Sequence, residues 1–545
     1  MARTPMDTLA RLGDEYFRLH FGADPFLAGV FGVPGFDAEV PDPSRAADAR
    51  RQAELARLGA ELATIDGDAL EGSDRITYAI LARLLHDERR ILRDGVAEVA
   101  VTASGSGPLA QAVAAVPAAT GSDEDYLTRL ERLGGFFDRH AERYRQAARD
   151  GRFPTELGVR QAMGQADAYL ATPVERDPFL QRRPASARAA EIVTSGVRPA
   201  LMRFRTALAE QLLPVARPAE SVGLCHVPGG ADGYLGLVRA YTTTELSPEE
   251  IHRIGLDLVD RLREEFAERG GRALGTADVD EVLVRLREDP ALRFGTAKEI
   301  VDTVTDALRR AEAAVPDWFA GYDIAPCVVR EMDPAEAENA VLGYYLPPAG
   351  DGSRPGAHVV NTHRPDLRSR FEYEALAFHE TVPGHHLQIA VAQSRDDLPP
   401  FRRFAYFDAH GEGWGLYTER LSDEMGLYTS ELSRLGMVSF DAWRACRLVV
   451  DTGMHHLGWS RERAIAYMRS NTALSETNIT NEVDRYIAMP GQALAYMIGR
   501  LRIEHLRERA RAALGPAFDI RAFHHEVLAH GPMPLDTLEE LVLLG

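Results

Sequence analysis

The chain has 545 residues, 45% of them hydrophobic and 26% charged, a composition that suits a soluble globular protein with room for more than one core. A formal net charge of −20 argues against nucleic acid as a partner, because phosphate binding needs clustered positive charge. Three scattered cysteines, Cys225, Cys327 and Cys446, form no C-x-x-C pair and predict reduced thiols in a cytoplasmic protein, not a disulfide framework.

The first residues, MARTPMDTLARLGDEYFRLHFG, are broken by charges every few positions. They predict an amphipathic helix of the fold, not a secretion signal. No run of about eighteen apolar residues occurs, so no membrane-spanning helix and no membrane partner are expected. Apolar positions three and four apart predict helices over 44–65, 73–93, 124–149, 186–213, 248–269, 297–314, 430–450, 460–469 and 485–512. Ser247-Pro248-Glu249-Glu250 marks one start, with a capping hydroxyl, a proline in the first turn and acids near the positive end of the dipole. No repeat of fixed period appears, which excludes a solenoid.

Pro214, Pro218, Pro228, Gly229 and Gly230 crowd the segment 214–233. The expected domain boundary lies there, between an N-terminal helical lobe (1–220) and a catalytic lobe (221–545). From 323 to 362 the pattern changes: 324–330, 341–346 and 357–361 are short, rich in β-branched and aromatic residues, and bounded by Pro, Gly and Asp. They predict a small sheet, with 349–356 as the turn-rich link between its last two strands. The fold class is therefore mainly α, with a small sheet just before the next segment.

That segment is Phe378-His379-Glu380-Thr381-Val382-Pro383-Gly384-His385-His386-Leu387-Gln388. Imidazoles can hold a metal, and an adjoining carboxylate can take a proton from water. In H-E-x-x-H the histidines are four apart and share one helical face. Here His379 and His385 are six apart, which a regular helix turns away from each other by roughly 120°. His386, seven apart, shares the face of His379 but lies about 10 Å further along the axis. Pro383 cannot donate to the His379 carbonyl, and Gly384 admits unusual backbone angles. Together they can loop residues out of the helix and return a histidine to His379. His385 is the favoured second ligand and His386 the alternative, with Glu380 as general base. A bland reading, a kinked helix with surface histidines, competes with this; three histidines and a Glu around one Pro-Gly break favour the metal.

A third ligand is expected from Asp408-Ala409-His410-Gly411-Glu412-Gly413-Trp414-Gly415-Leu416-Tyr417-Thr418-Glu419. Glu412 lies between small residues that permit close approach. Glu419, two turns on, suits a role behind a ligand histidine. Two histidines, one glutamate and water form an open catalytic zinc arrangement, whereas structural zinc usually fills all four positions with protein atoms.

The motifs HETVPGHHLQ, GEGWGLYTE, RLVVDTGMHHLGW and RYIAMPGQALAYMIG, in that order, resemble the bacterial family known as domain of unknown function 885. GYLGLVRAYTTTELSPEEIHRIGL and GYYLPP fit it too, so the resemblance spans nearly the whole chain. The family is grouped with gluzincin metallopeptidases and is similar in architecture to thimet oligopeptidase, carboxypeptidase Taq and angiotensin-converting enzyme. That resemblance implies two helical lobes flanking a deep cleft with a small sheet at its rim. It also implies Zn2+ held by His379, His385 and Glu412, with Glu380 as base.

Arg485-Tyr486 resembles the Arg-Tyr pair near the active site of angiotensin-converting enzyme, which makes Tyr486 the expected oxyanion donor and Tyr496 the runner-up. Gln492 and Tyr496, four apart, share a helical face and can line a cleft. His455 is either a further donor or a structural histidine. Strand 357–361, ending at Asn361, can offer an edge to an extended substrate, with Tyr344 and Tyr345 in reach of the same ligand. One of Arg444, Arg447, Arg485 and Arg500 can bind a substrate carboxylate. The function expected is zinc-dependent hydrolysis of short peptides, of carboxypeptidase or dipeptidase type. Two alternatives are an amide hydrolase that tailors a peptide-like metabolite and a non-catalytic peptide-binding protein.

Overall fold

The computed structural model of the protein describes residues 4–117, 121–181, 186–337, 341–348 and 354–544. Most of the expected link 349–356 lies outside the described residues. The fold is mainly helical with one small three-stranded sheet. Two compact units form. One comprises Met1–Gly236, Met454–Glu462 and Asp484–Pro490; the other comprises Leu237–Gly453, Arg463–Val483 and Gly491–Gly545. The first unit thus runs slightly past the Pro- and Gly-rich segment at 214–233 and includes two short later segments.

In the first unit, α1 (Asp123–Arg149) and α2 (Arg198–Ala207) show how apolar spacing becomes a core. Ser122 caps α1 and Asp125 returns a bond to the Ser122 backbone, satisfying two N–H groups that the helix start leaves open. Leu130, Leu133, Phe136, Phe137, Ala141 and Tyr144 of α1 join Leu201, Phe204 and Ala207 of α2 in one buried cluster. The helical run expected over 186–213 is present but contains two π-helical stretches, Val193–Val197 and Leu208–Leu212.

In the second unit, α3 (Pro248–Ala273) begins with the reciprocal Ser247–Glu250 cap that the sequence signals. After α4 (Ala297–Trp318) come β1 (Cys327–Glu331), β2 (Gly343–Leu346) and β3 (Gly356–Val360). The strand order is β1-β3-β2, with β3 parallel to β1 and antiparallel to β2. This corrects one expectation: the strand at 357–361 has no free edge. Every residue of β3 is buried, so its backbone groups are satisfied by a neighbour on each side.

The sheet leads into α5 (Tyr373–Glu380), α6 (His385–Gln393), α7 (Asp408–Glu424), α8 (Glu431–His455), α9 (Glu476–Ala488), α10 (Ala495–Leu514) and α11 (Ile520–Leu528). The stretch 485–512, expected as one helix, is divided between α9 and α10. Pro490 has no N–H to donate and Gly491 takes a left-handed φ of 84°. Asp451 receives the Gly491 N–H at 3.1 Å and anchors the turn.

Candidate metal centre

Helix α5 is buried along its length up to His379 and stops at Glu380. Thr381 closes it, donating both its backbone N–H (2.8 Å) and its hydroxyl (2.6 Å) to the Ala377 carbonyl. Residues 381–384 then leave the helix, with the Val382–Pro383 peptide cis, and α6 restarts at His385. Gly384 is required by close approach: a methyl group there would fall 2.0 Å from the His379 carbonyl oxygen. Trp414 of α7, wholly buried, donates its indole N–H to the Pro383 carbonyl at 2.9 Å and pins the break. The excursion cancels the 120° separation of a straight helix. The His379 and His385 rings lie 4.6 Å apart between centroids and nearly perpendicular, at 87°.

Glu412, on α7, completes the cluster. Its Oε2 stands 3.5 Å from His379 Nε2 and 3.4 Å from His385 Nε2. Among the described residues these three form the one group of His, Cys, Asp or Glu side chains whose ligand atoms all lie within 4.8 Å of one another. Gly415, one turn beyond Glu412, leaves room for the His379 ring, whose Cε1 would be 2.7 Å from a methyl group at that position. Glu419 lies another turn on, fully buried, and accepts the His379 Nδ1 proton at 2.8 Å. A carboxylate only accepts, so this bond fixes the proton on Nδ1 and turns Nε2 toward Glu412.

The electrostatics follow from that arrangement. Burial pulls the His379 imidazole down, but Glu412 and Glu419 outweigh it and raise its pKa to about 9. Burial pushes the Glu412 carboxyl up, yet the two imidazoles hold it well below the usual carboxylate range. Glu380 is raised by burial, with His379 and His385 opposing the shift.

The other sequence-predicted residues separate into groups. His386 lies outside the cluster: its Nδ1 meets the Tyr345 hydroxyl at 2.9 Å, and burial depresses its pKa to about 4 while a bond with the Ala325 backbone opposes that. Tyr345 thus supports the strand side of the break. Asn361, expected to reach a ligand, is instead consumed by scaffold. Its side-chain amide donates to the Ala337 and Val341 carbonyls, and its Oδ1 accepts from His363 N–H. Gln492 donates to Asp408 at 2.9 Å. His455 accepts from Leu224 N–H on Nδ1 and bonds the Tyr486 carbonyl through Nε2, so both nitrogens serve the backbone of the first unit. Tyr486 is buried, with the Arg485 guanidinium over its ring at 5.2 Å. Tyr496 lies in the second unit, beneath the guanidinium of Arg447 at 4.3 Å.

Sequence reasoning missed Tyr406 and Trp414. The Tyr406 hydroxyl donates to Glu412 Oε1 at 3.1 Å, which places a phenol beside the cluster. No periodicity signals it, since Tyr406 precedes α7; Trp414, inside GEGWG, was visible as a bulky residue among glycines. The donor set fits zinc. Bonds of about 2.0–2.2 Å in tetrahedral array set ligand atoms roughly 3.3–3.6 Å apart. The observed 3.4 and 3.5 Å match that spacing.

The chain belongs to the family DUF885, described as bacterial proteins of unknown function, whose model matches residues 25–542. Solved structures that resemble it include two described as lipoproteins. A "putative lipoprotein" from Colwellia psychrerythraea is 27% identical, with a TM-score of 0.91 over 99% of both chains. A "putative lipoprotein of unknown function" from Shewanella oneidensis is 18% identical, with a TM-score of 0.79 over 99% of this chain and 100% of that one, a likeness of fold. Among curated proteins, none matches the sequence.

Proposed function

We propose that this chain is a zinc-dependent hydrolase of gluzincin type that cleaves peptide or amide bonds in short peptides. The convergence of His379, His385 and Glu412, with Glu380 adjoining and Glu419 behind, carries this reading. Three protein ligands leave a coordination position open, as catalytic zinc requires and structural zinc does not. When bound, the ion supplies a Lewis acid that polarises the scissile carbonyl and acidifies water. Glu380 takes a proton from the attacking water as its oxygen bonds to the carbonyl carbon. The C–N bond then breaks, and Glu380 returns the proton to the leaving amine. Glu419 holds the His379 ring in one tautomer throughout. We assign the oxyanion donor to Tyr406, whose hydroxyl is bonded to Glu412, with Tyr496 as runner-up.

The three cysteines are free, which accords with the reducing cytoplasm we propose as its location. Among the described residues no helix is long and apolar enough to cross a membrane. Glu380→Gln tests the mechanism: it should retain zinc while kcat on peptide substrates falls by at least about 100-fold, as loss of a general base implies. Turnover equal to wild type would remove Glu380 from the role. Zinc binding with no hydrolysis of any peptide, in wild type, would favour a peptide-binding protein.

A further inference from the structure

Helix α8 carries a guanidinium that the machinery above does not use. Arg444 is 5% exposed. Its Nε and Nη1 are sealed from solvent without a hydrogen-bond partner among the described residues. Its charge lies over three rings, 4.1 Å from the Trp443 centroid, 4.4 Å from Phe440 and 6.0 Å from Tyr496. Aromatic faces stabilise a buried cation, but they leave its in-plane N–H groups without acceptors. A buried charged group whose N–H donors find no acceptor is costly.

The acids around it make no hydrogen bond to it: Glu372 and Glu419, whose Oε2 is buried without a partner among the described residues, act on it only through their charge. Asp441, one turn earlier on α8, accepts from Arg420 and Arg500. Glu482 accepts from Arg447 at 3.0 Å and from the Trp443 indole at 3.2 Å. Glu419 takes the His379 ring. Arg447 also faces the Trp443 and Tyr496 rings, at 4.4 and 4.3 Å, which adds positive charge to the same aromatic cage.

Helix packing ties this cage to the metal cluster. Tyr496 stands one turn before Gly499 on α10. A methyl group on Gly413 of α7 would fall 2.5 Å from the Gly499 backbone, so the two helices touch beside Glu412. The positive charge of Arg444 also reaches Glu380, whose carboxyl it pulls down, and the charge of Glu419 reaches Arg444.

We propose that Arg444, framed by Trp443, Phe440 and Tyr496, binds a carboxylate of the substrate, so that the site takes peptides bearing a free carboxylate. The planar guanidinium forks onto the two oxygens, and the rings hold its plane. The inference rests on the hydrolase reading for the word substrate, but its test does not depend on turnover. One peptide sequence is prepared as the free acid, as the C-terminal amide, and as the amide with a Glu side chain near its end. Binding to zinc-loaded Glu380→Gln is measured by calorimetry, and kcat/KM is measured on wild type.

The free acid should bind on the order of 100-fold more tightly than the plain amide. Adding Arg444→Gln should bring that ratio to within a few-fold of one, and Arg444→Lys, which keeps charge but loses the fork, should fall between. Zinc content and thermal melting confirm that each variant is folded. Rescue of the amide by the Glu side chain identifies a side-chain carboxylate as the ligand; no rescue identifies the terminal one. A ratio near one before substitution, or a ratio that survives Arg444→Gln in folded protein, overturns the assignment. Carboxylate binding that depends on Arg444 in a protein hydrolysing no peptide would keep this inference and end the hydrolase reading.

Discussion

At the residue scale the cluster is a competition between metal and proton. His379 reaches a pKa of about 9 in the metal-free protein because Glu412 and Glu419 outweigh its burial. A metal needs the deprotonated Nε2, so zinc affinity should strengthen about tenfold per pH unit from 6.5 toward 9, with proton release on binding. Zinc titrations against a competing chelator, buffered across that range, check this; affinity independent of pH would contradict it. The sign reverses for stability of the metal-free form. A base raised in the folded state contributes stability that is complete below about 6.5 and is lost as pH rises through about 9. Glu419→Gln should cost 10- to 100-fold in zinc affinity, because a neutral amide replaces the charged acceptor that fixes the His379 tautomer and makes its Nε2 more basic. His379, Glu380, Glu412 and Glu419 were legible because their spacing has a chemical meaning. His385 was favoured over His386 but not fixed, since the Tyr345 hydroxyl on β2 and the Ala325 backbone just before β1, which claim His386, are distant in sequence.

At the element scale the decisive object is the interrupted helix, 373–393. Pro383 and Gly384 announce a break in the sequence, but its direction is set by α7. The Trp414 indole holds the Pro383 carbonyl, and the His379 ring rests against Gly415. Trp414→Phe should leave that carbonyl unsatisfied and destabilise the protein by about 1–3 kcal/mol, with weakened zinc binding. Gly384→Ala should be harsher, since the added methyl meets main-chain oxygens that cannot move aside. Thermal melts with and without zinc measure both; a Gly384→Ala protein as stable as wild type, with zinc bound, would show that the break tolerates a side chain. Helix periodicity carried the sequence reading well for α1, α3 and α4. It failed at 485–512, where apolar spacing continues across Pro490-Gly491 although the backbone turns. The strand at 357–361 was legible as a strand but not as the central one, because order in a sheet is set by distant pairing.

At the scale of the molecule, buried neutral histidines govern the response to acid. His140, His358 and His524 are depressed by burial to about 3, and His386, His410 and His455 to about 4. The unfolded chain binds these protons near pH 6.5 and the folded one does not. A depressed base contributes stability that is present above about 6.5 and lost as pH falls, at about 1.4 kcal/mol per unit and site. Glu372, raised by burial to about 7, acts in the opposite direction, as do Glu380, Glu504, Glu312 and Asp48, which burial also raises; the six histidines outnumber them. The melting temperature should therefore drop steeply between pH 6.5 and 5, while a flat profile there would mean that these rings are hydrated in the folded protein. None of this was visible in the sequence, where a histidine on an apolar helix face looks the same whether sealed or solvated.

The most direct test is the metal content of the protein purified without chelators, compared with His385→Ala and Glu412→Ala variants shown to be folded by circular dichroism. One zinc per chain in the wild type, and far less than one in either variant, is the predicted result. Wild-type protein that takes up no zinc when it is supplied, or variants that keep a full equivalent, would contradict the assignment of His379, His385 and Glu412 as a metal centre.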